Sequence, residues 1–128
     1  MNENNERESI SNTFKRTMIG NKPWGHYEVL LDEEYCKVKI ICVKPKQRLS
    51  YQYHNKRSEV WAIVEGKGEI IIDGKKNILK YGDCIKIDKK SKHRIYNNSD
   101  SILKFIEVQT GTYFGEDDIE RIEDDFGR

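Results

Sequence analysis

The sequence predicts an all-β fold, a small barrel or sandwich of short strands. Three observations carry that expectation. From Trp24 onward the chain falls into short runs rich in Val, Ile and Tyr, separated by Gly, Asp, Asn and Lys, the pattern of strands joined by tight connections. Between Ile70-Ile71-Ile72 and Lys76-Asn77-Ile78-Leu79 stands Asp73-Gly74, a pair that tolerates the positive φ of a hairpin turn. Almost no stretch between these runs has helical periodicity.

In chain order the runs place strands at 27–31, 36–43, 49–54, 60–65, 68–72, 76–79, 83–87, 93–96 and 102–108. Strands this short and this closely spaced, with so little helix between them, build a sandwich or barrel. Only 116–121 reads as a short C-terminal helix, with Glu116, Asp117 and Asp118 at its start, where the helix dipole favours negative charge. Residues 1–20 are set apart as a polar tail or arm before a body at 21–128. Within that arm Ile10, Phe14 and Met18 are spaced four apart, which suits either a short helix docking on the body or a partner subunit, or a frayed end.

A chain of 128 residues has room for one domain with a genuine core and not for two catalytic domains. Lys and Arg number 23 against 22 Asp and Glu, a formal charge of +1. The two signs are interleaved, which argues against nucleic acid as a partner. No apolar run approaches the roughly 18 residues of a membrane span, and Glu3, Glu6, Arg7 and Glu8 leave no apolar stretch for a signal peptide. A soluble, cytoplasmic protein is expected. Cys36, Cys42 and Cys84 are odd in number and form no C-x-x-C pair, so they read as reduced thiols packed as small hydrophobes.

One segment carries chemistry. Gln52 and His54 lie two apart on a β-rich run, and the two-residue period of a strand turns both to one face. A tight loop brings Glu59 back beside them, and His93 closes the set from a later strand. Imidazole nitrogens, a carboxylate and a carboxamide oxygen suit one divalent ion, Zn, Mn, Fe, Co or Ni, with positions left open for a substrate. Gln52 has a second possible role, because a neutral carboxamide also serves to hydrogen-bond a neighbouring ligand.

The spacing of these residues resembles the cupin superfamily. Its first motif has a glycine, five residues, His-x-His, three or four residues, Glu, six residues and Gly. Gln52, His54, Glu59 and Gly66 fall at those separations, with Gln52 at the first histidine and Lys46 at the leading glycine. Its second motif is matched at Gly82, His93 and Asn97, with Asp88 and Lys90 where proline and glycine are usual. A narrower resemblance rests on Lys22-Pro23-Trp24-Gly25-His26-Tyr27, on Leu49-Ser50-Tyr51-Gln52-Tyr53-His54 with Arg57, Glu59 and Trp61, and on Ile106-Glu107-Val108-Gln109-Thr110-Gly111 with Gly115-Glu116-Asp117-Asp118-Ile119 and Arg121. These three blocks are similar to the type II mannose-6-phosphate isomerase domain, usually the C-terminal part of a bifunctional enzyme with mannose-1-phosphate guanylyltransferase activity.

The resemblance implies a cupin double-stranded β-helix, or jelly-roll barrel, and a metal-dependent interconversion of mannose 6-phosphate and fructose 6-phosphate that supplies nucleotide-sugar and polysaccharide synthesis. It also implies a homodimer, and a guanylyltransferase supplied by a separate chain. A sugar phosphate needs cations, which Arg provides through paired hydrogen bonds. Arg48, four before Gln52, is the first expectation for that role; Arg57, within the motif, is a candidate for both substrate binding and catalysis. Arg94 follows His93, although strand parity points it away. Aldose–ketose isomerisation moves a proton between C1 and C2 and needs a base; Glu107, a carboxylate inside an apolar strand, is the candidate, with a water-facing edge charge as its other reading. Trp24 and Trp61 read as core or pocket wall. Two other functions stay open: a non-catalytic cupin that binds a sugar phosphate and regulates a partner, and a metal-dependent dioxygenase.

Overall fold

The apolar runs become strands whose alternating residues divide between an inner and an outer face. The computed structural model describes residues 18–128, and these hold eleven strands and no helix. They are β1 (Ile19–Lys22), β2 (Gly25–Asp32), β3 (Lys37–Val43), β4 (Tyr51–Tyr53), β5 (Arg57–Glu65), β6 (Lys67–Ile72), β7 (Lys75–Lys80), β8 (Cys84–Ile87), β9 (His93–Tyr96), β10 (Leu103–Gly111) and β11 (Glu120–Glu123). One sheet has the order β1-β2-β3-β10-β5-β8 and the other β11-β4-β9-β6-β7, with every pairing antiparallel.

The nine expected strands correspond to β2 through β10. β1 and β11 were not expected, and both are edge strands with few apolar residues, the kind of sequence that keeps a sheet edge from pairing further. β1 opens at Ile19, inside the stretch set apart as an arm; Ile10 and Phe14 lie outside the described residues. The short C-terminal helix expected at 116–121 does not form. Glu116 and Asp117 make a turn, and β11 pairs with β4. The acidic side chains that suggested a helix start are engaged elsewhere: Glu116 with Lys37 and Lys39, Asp118 with the N–H groups of Asn55 and Lys56.

The core lies between the sheets and includes Trp24, Ile41, Val43, Leu49, Trp61, Ile63, Ile70, Ile87, Ile95, Leu103 and Phe105. Burial of side chains this large is the main favourable contribution to folding, about 1.5–3 kcal/mol each. Along β3, β5 and β10 every second residue faces inward, and register sets those residues in cross-strand rows. Ile41, Phe105 and Ile63 form an apolar row, Lys39, Glu107 and Trp61 the next, and Lys37, Gln109 and Glu59 the one beyond. The inner face therefore turns from apolar to charged along the strands, and the cavity sits at the charged end. Of the three cysteines, all free thiols, Cys42 is buried as expected of a small hydrophobe, Cys36 is half-buried and Cys84 is exposed.

Turns hold this register. Asp73 (φ 48°) and Gly74 (φ 82°) join β6 to β7, with Ile72 opposite Lys75, the paired positive φ values of a type I′ hairpin. Gly66 (φ 79°) passes so close to Ile102 that a Cβ at this position would stand 2.7 Å from the Ile102 carbonyl oxygen. Lys46 (φ 62°) and Lys90 (φ 65°), standing where cupin motifs have glycine, adopt the left-handed conformation that glycine would take. Asn97, the last residue of the second motif, is buried and donates to the carbonyls of Val43, Lys44 and Ser101 at 3.0, 3.2 and 2.8 Å. Its position explains a structural role, tying three chain segments together.

Candidate metal centre

β4 and β9 set Gln52 directly opposite His93, so both project from the same face of their sheet toward the cavity that they line. His54 leaves the end of β4, and Glu59 enters from β5 in the other sheet. The ligating atoms of His54, Glu59 and His93 all lie within 4.8 Å of one another, and all three residues are buried. His54 Nε2 is 3.3 Å from Glu59 Oε2, and His93 Nε2 is 3.8 Å from Glu59 Oε1. Ligands about 2.0–2.2 Å from one tetrahedral ion stand about 3.4 Å apart, so the set fits a single divalent ion.

The imidazoles are also oriented for that role. His54 Nδ1 is 2.6 Å from the Asp118 carbonyl and His93 Nδ1 is 2.8 Å from the Ser91 carbonyl. A carbonyl can only accept, so each Nδ1 carries the proton and each Nε2 presents its lone pair to Glu59. Burial, and after it the charge on Arg57, push the His54 imidazole down to about 4; burial also lowers His93. Both rings are therefore neutral at pH 7, the form that binds a metal. Gln52 donates through Nε2 to the Ser50 carbonyl at 3.3 Å, an orientation that leaves its amide oxygen as the acceptor.

Behind these residues lies a carboxylate pair. Trp61 Nε1 donates to Glu59 Oε1 at 2.9 Å and to Glu107 Oε1 at 3.1 Å, and Gln109 Nε2 donates to Glu107 Oε2 at 2.8 Å. Glu107 is 4% exposed, so the water-facing reading does not hold. Burial, reinforced by the charge on Glu59, pushes its carboxyl up to about 7. Trp61 is more than pocket wall, since its one N–H fixes both acids.

Arg57 binds Glu59 Oε2 through Nε at 2.8 Å and approaches His54 Nε2 through Nη2 at 3.4 Å. An ion on His54 Nε2 would take that lone pair and free the Arg57 N–H. Arg48 is not at the cavity. Its guanidinium makes paired bonds to Asp125 at 2.6 and 2.7 Å. The expectation that it faces Gln52 assumed unbroken alternation from 48 to 52, but Leu49 and Ser50 are buried in succession and β4 begins only at Tyr51. Arg94 also lies off the cavity, donating to the Leu49 carbonyl at 3.0 Å and to Glu123 at 3.2 Å, as strand parity indicated. The cavity's cations are instead Lys22, Lys39, Arg57, Arg121 and Arg128. Lys39 shares the parity of Ile41 and Val43, the sequence signal that marks it as inward; Arg121 falls in the segment whose sequence suggests a helix and lies instead on β11.

The two facing antiparallel sheets and the His/Glu/His cluster between them define a cupin. An uncharacterized conserved protein with a double-stranded beta-helix domain from Klebsiella pneumoniae superposes with a TM-score of 0.67 at 21% identity, covering 75% of this chain and 82% of that one. The family described as mannose-6-phosphate isomerase C-terminal matches residues 7–124, and the chain belongs to that family. It is 43% identical over 107 residues to the alginate biosynthesis protein AlgA of Pseudomonas aeruginosa, and 41% identical over 107 residues to a mannose-1-phosphate guanylyltransferase of Salmonella montevideo. Each match covers 84% of this chain but only 22% and 23% of those relatives. The chain thus spans less than a quarter of their length.

Proposed function

We propose that the chain is a metal-dependent isomerase that interconverts mannose 6-phosphate and fructose 6-phosphate, in the cytoplasm, for polysaccharide synthesis. Zinc is the first expectation for the ion, with Mn, Fe, Co and Ni as alternatives, and a homodimer is the expected assembly. The observation that carries the reading is Glu107, a buried carboxylate of near-neutral pKa beside the His54, Glu59 and His93 cluster. A base is most effective when its pKa lies near the working pH.

The residues would divide the work as follows. His54, Glu59 and His93, with Gln52, would hold the ion, which stabilises negative charge developing on the sugar oxygens. Glu107 would take the proton from the carbon next to the carbonyl and return it to the carbonyl carbon, while the hydroxyl proton passes from one sugar oxygen to the other, so that the isomers differ only in the placement of two hydrogens. Trp61 and Gln109 would keep the Glu107 carboxylate in one orientation, each donating to one of its two oxygens. Arg57 would hold an oxygen of the substrate. A cation-lined cavity suits a sugar phosphate better than the small apolar substrate of a dioxygenase.

The test is a coupled assay of fructose 6-phosphate formation from mannose 6-phosphate, with chelator and with each candidate metal restored. Turnover that is lost on chelation and regained with metal is the expected result. Glu107→Gln should retain fold and metal but lose most turnover, together with exchange of the C2 proton into deuterated water. Wild-type protein that binds mannose 6-phosphate without turnover or exchange would instead identify a non-catalytic, regulatory cupin.

A further inference from the structure

Lys37 and Lys39 are among the least expected residues of the inner face. They are 5% and 4% exposed, and lysine is almost never buried without a partner. Their partner is a single carboxylate. Lys39 Nζ makes a close ion pair with Glu116 Oε1, which Lys37 Nζ also approaches at 3.4 Å. Lys37 donates in addition to the Phe114 carbonyl at 3.3 Å, and Lys39 lies 4.2 Å from the centre of the Tyr27 ring. The lysines are fixed in β3, whereas the Glu116 side chain is 46% exposed and comes from the turn between β10 and β11. Nearby, Arg57 Nη1 is buried without a hydrogen-bond partner, although buried guanidinium N–H groups normally have one. Lys39, Arg57 and Glu116 all line the cavity of the candidate metal centre.

We infer that Lys39 and Arg57, backed by Lys37, form the seat for the phosphate group of the substrate, and that Glu116 is a built-in counter-anion which the phosphate displaces. The inference rests on the sugar-phosphate reading for its natural ligand, but not for its chemistry. One carboxylate oxygen shared by two ammonium groups cannot fill all of their N–H donors; a phosphate monoester brings about two negative charges and three acceptor oxygens, enough for both lysines and the idle Arg57 N–H. Although burial works against it, Lys39, Lys37 and Arg57 hold the Glu116 carboxyl below its ordinary value, so the counter-anion is charged at neutral pH. An empty seat is thereby kept paired, and a phosphate must outcompete Glu116 to enter. A carboxylate on an exposed turn can withdraw, while the cations beneath it cannot.

Titration with inorganic phosphate by calorimetry, on the metal-loaded full chain, tests this directly. Glu116→Gln removes the competitor and should tighten phosphate binding about ten-fold, and Lys39→Gln should weaken it by about ten-fold or more, the effect of one charge-assisted contact. Glu116 is on the surface, so its variant should fold even if the Lys39 variant does not. In the assay Glu116→Gln should lower KM for mannose 6-phosphate more than it changes kcat. Unchanged or weaker phosphate binding by Glu116→Gln would make the ion pair a loop tether and overturn the proposal. The expected phosphate pattern without isomerase turnover would keep the seat and remove the isomerase; turnover without the pattern would do the reverse.

Discussion

At the scale of single residues, the centre depends on protons being kept in particular places. The Asp118 and Ser91 carbonyls fix the His54 and His93 tautomers, and burial keeps both rings neutral. An unfolded histidine titrates near 6.5, so between pH 6.5 and about 4 the unfolded chain binds the proton that folded His54 refuses. Stability is therefore lost as pH falls through that window. Glu107 acts in the opposite sense, because its folded pKa of about 7 exceeds its ordinary 4.5, and its contribution is present at low pH and lost as pH rises toward 7. Metal-free Glu107→Gln should consequently lose stability more steeply than metal-free wild type on going from pH 6.5 to 4.5. Urea denaturation across that range measures the slopes, and parallel slopes would contradict the assignment. Arg48 supplies a second prediction. Since it pairs with Asp125 outside the cavity, Arg48→Ala should leave KM for mannose 6-phosphate unchanged and cost at most about 1 kcal/mol of stability, as for other exposed ion pairs; a raised KM in the coupled assay would return it to the substrate site.

At the scale of elements, what was legible depended on whether local pattern or distant contact decides the conformation. Strands β2 to β10 announce themselves by alternation, and the Asp73-Gly74 turn by its chemistry. Gln52, His54, Glu59 and His93 were legible because two-residue parity and motif spacing suffice to bring them together. Arg48 does not follow that parity, because the strand has not begun at Leu49 and Ser50. The 116–121 segment departs from its helical pattern for a different reason: its acids serve lysines on β3 and N–H groups after His54, partners more than 60 positions away, which no local pattern displays. The connecting turns add a testable feature. Lys90 holds φ 65° in the connection between β8 and β9, and its N–H donates to the His54 carbonyl at 2.7 Å. A side chain in the left-handed region costs about 1 kcal/mol that glycine avoids. Lys90→Gly should therefore raise stability by about 1 kcal/mol, read as a higher denaturation midpoint with unchanged slope. A lower midpoint would mean that the lysine side chain contributes contacts that outweigh the strain.

At the scale of the whole molecule, the candidate metal centre joins the two sheets. His93 belongs to β9, and His54 follows β4 of the five-stranded sheet, while Glu59 belongs to β5 of the six-stranded one. An ion held by all three would cross-link the layers at their charged end, where Glu59, Glu107, Lys37 and Lys39 replace the apolar packing found around Phe105 and Ile63. These rows contribute little hydrophobic burial to hold the sheets together, so this end of the barrel should gain from a bound ion. A ligand that binds only the folded chain stabilises it by about 2.7 kcal/mol at one hundred times its Kd, which for a domain of this size raises Tm by on the order of 10 °C. Chelation should reverse the gain, and His93→Ala should abolish it along with the single equivalent of metal. The loss should also be uneven. Hydrogen exchange should quicken in β4, β9 and β11 on chelation, while the β6–β7 hairpin at the far edge of the same sheet stays protected. Equal protection with and without metal, or a Tm indifferent to chelator in protein carrying one equivalent, would show that the ion does not link the sheets.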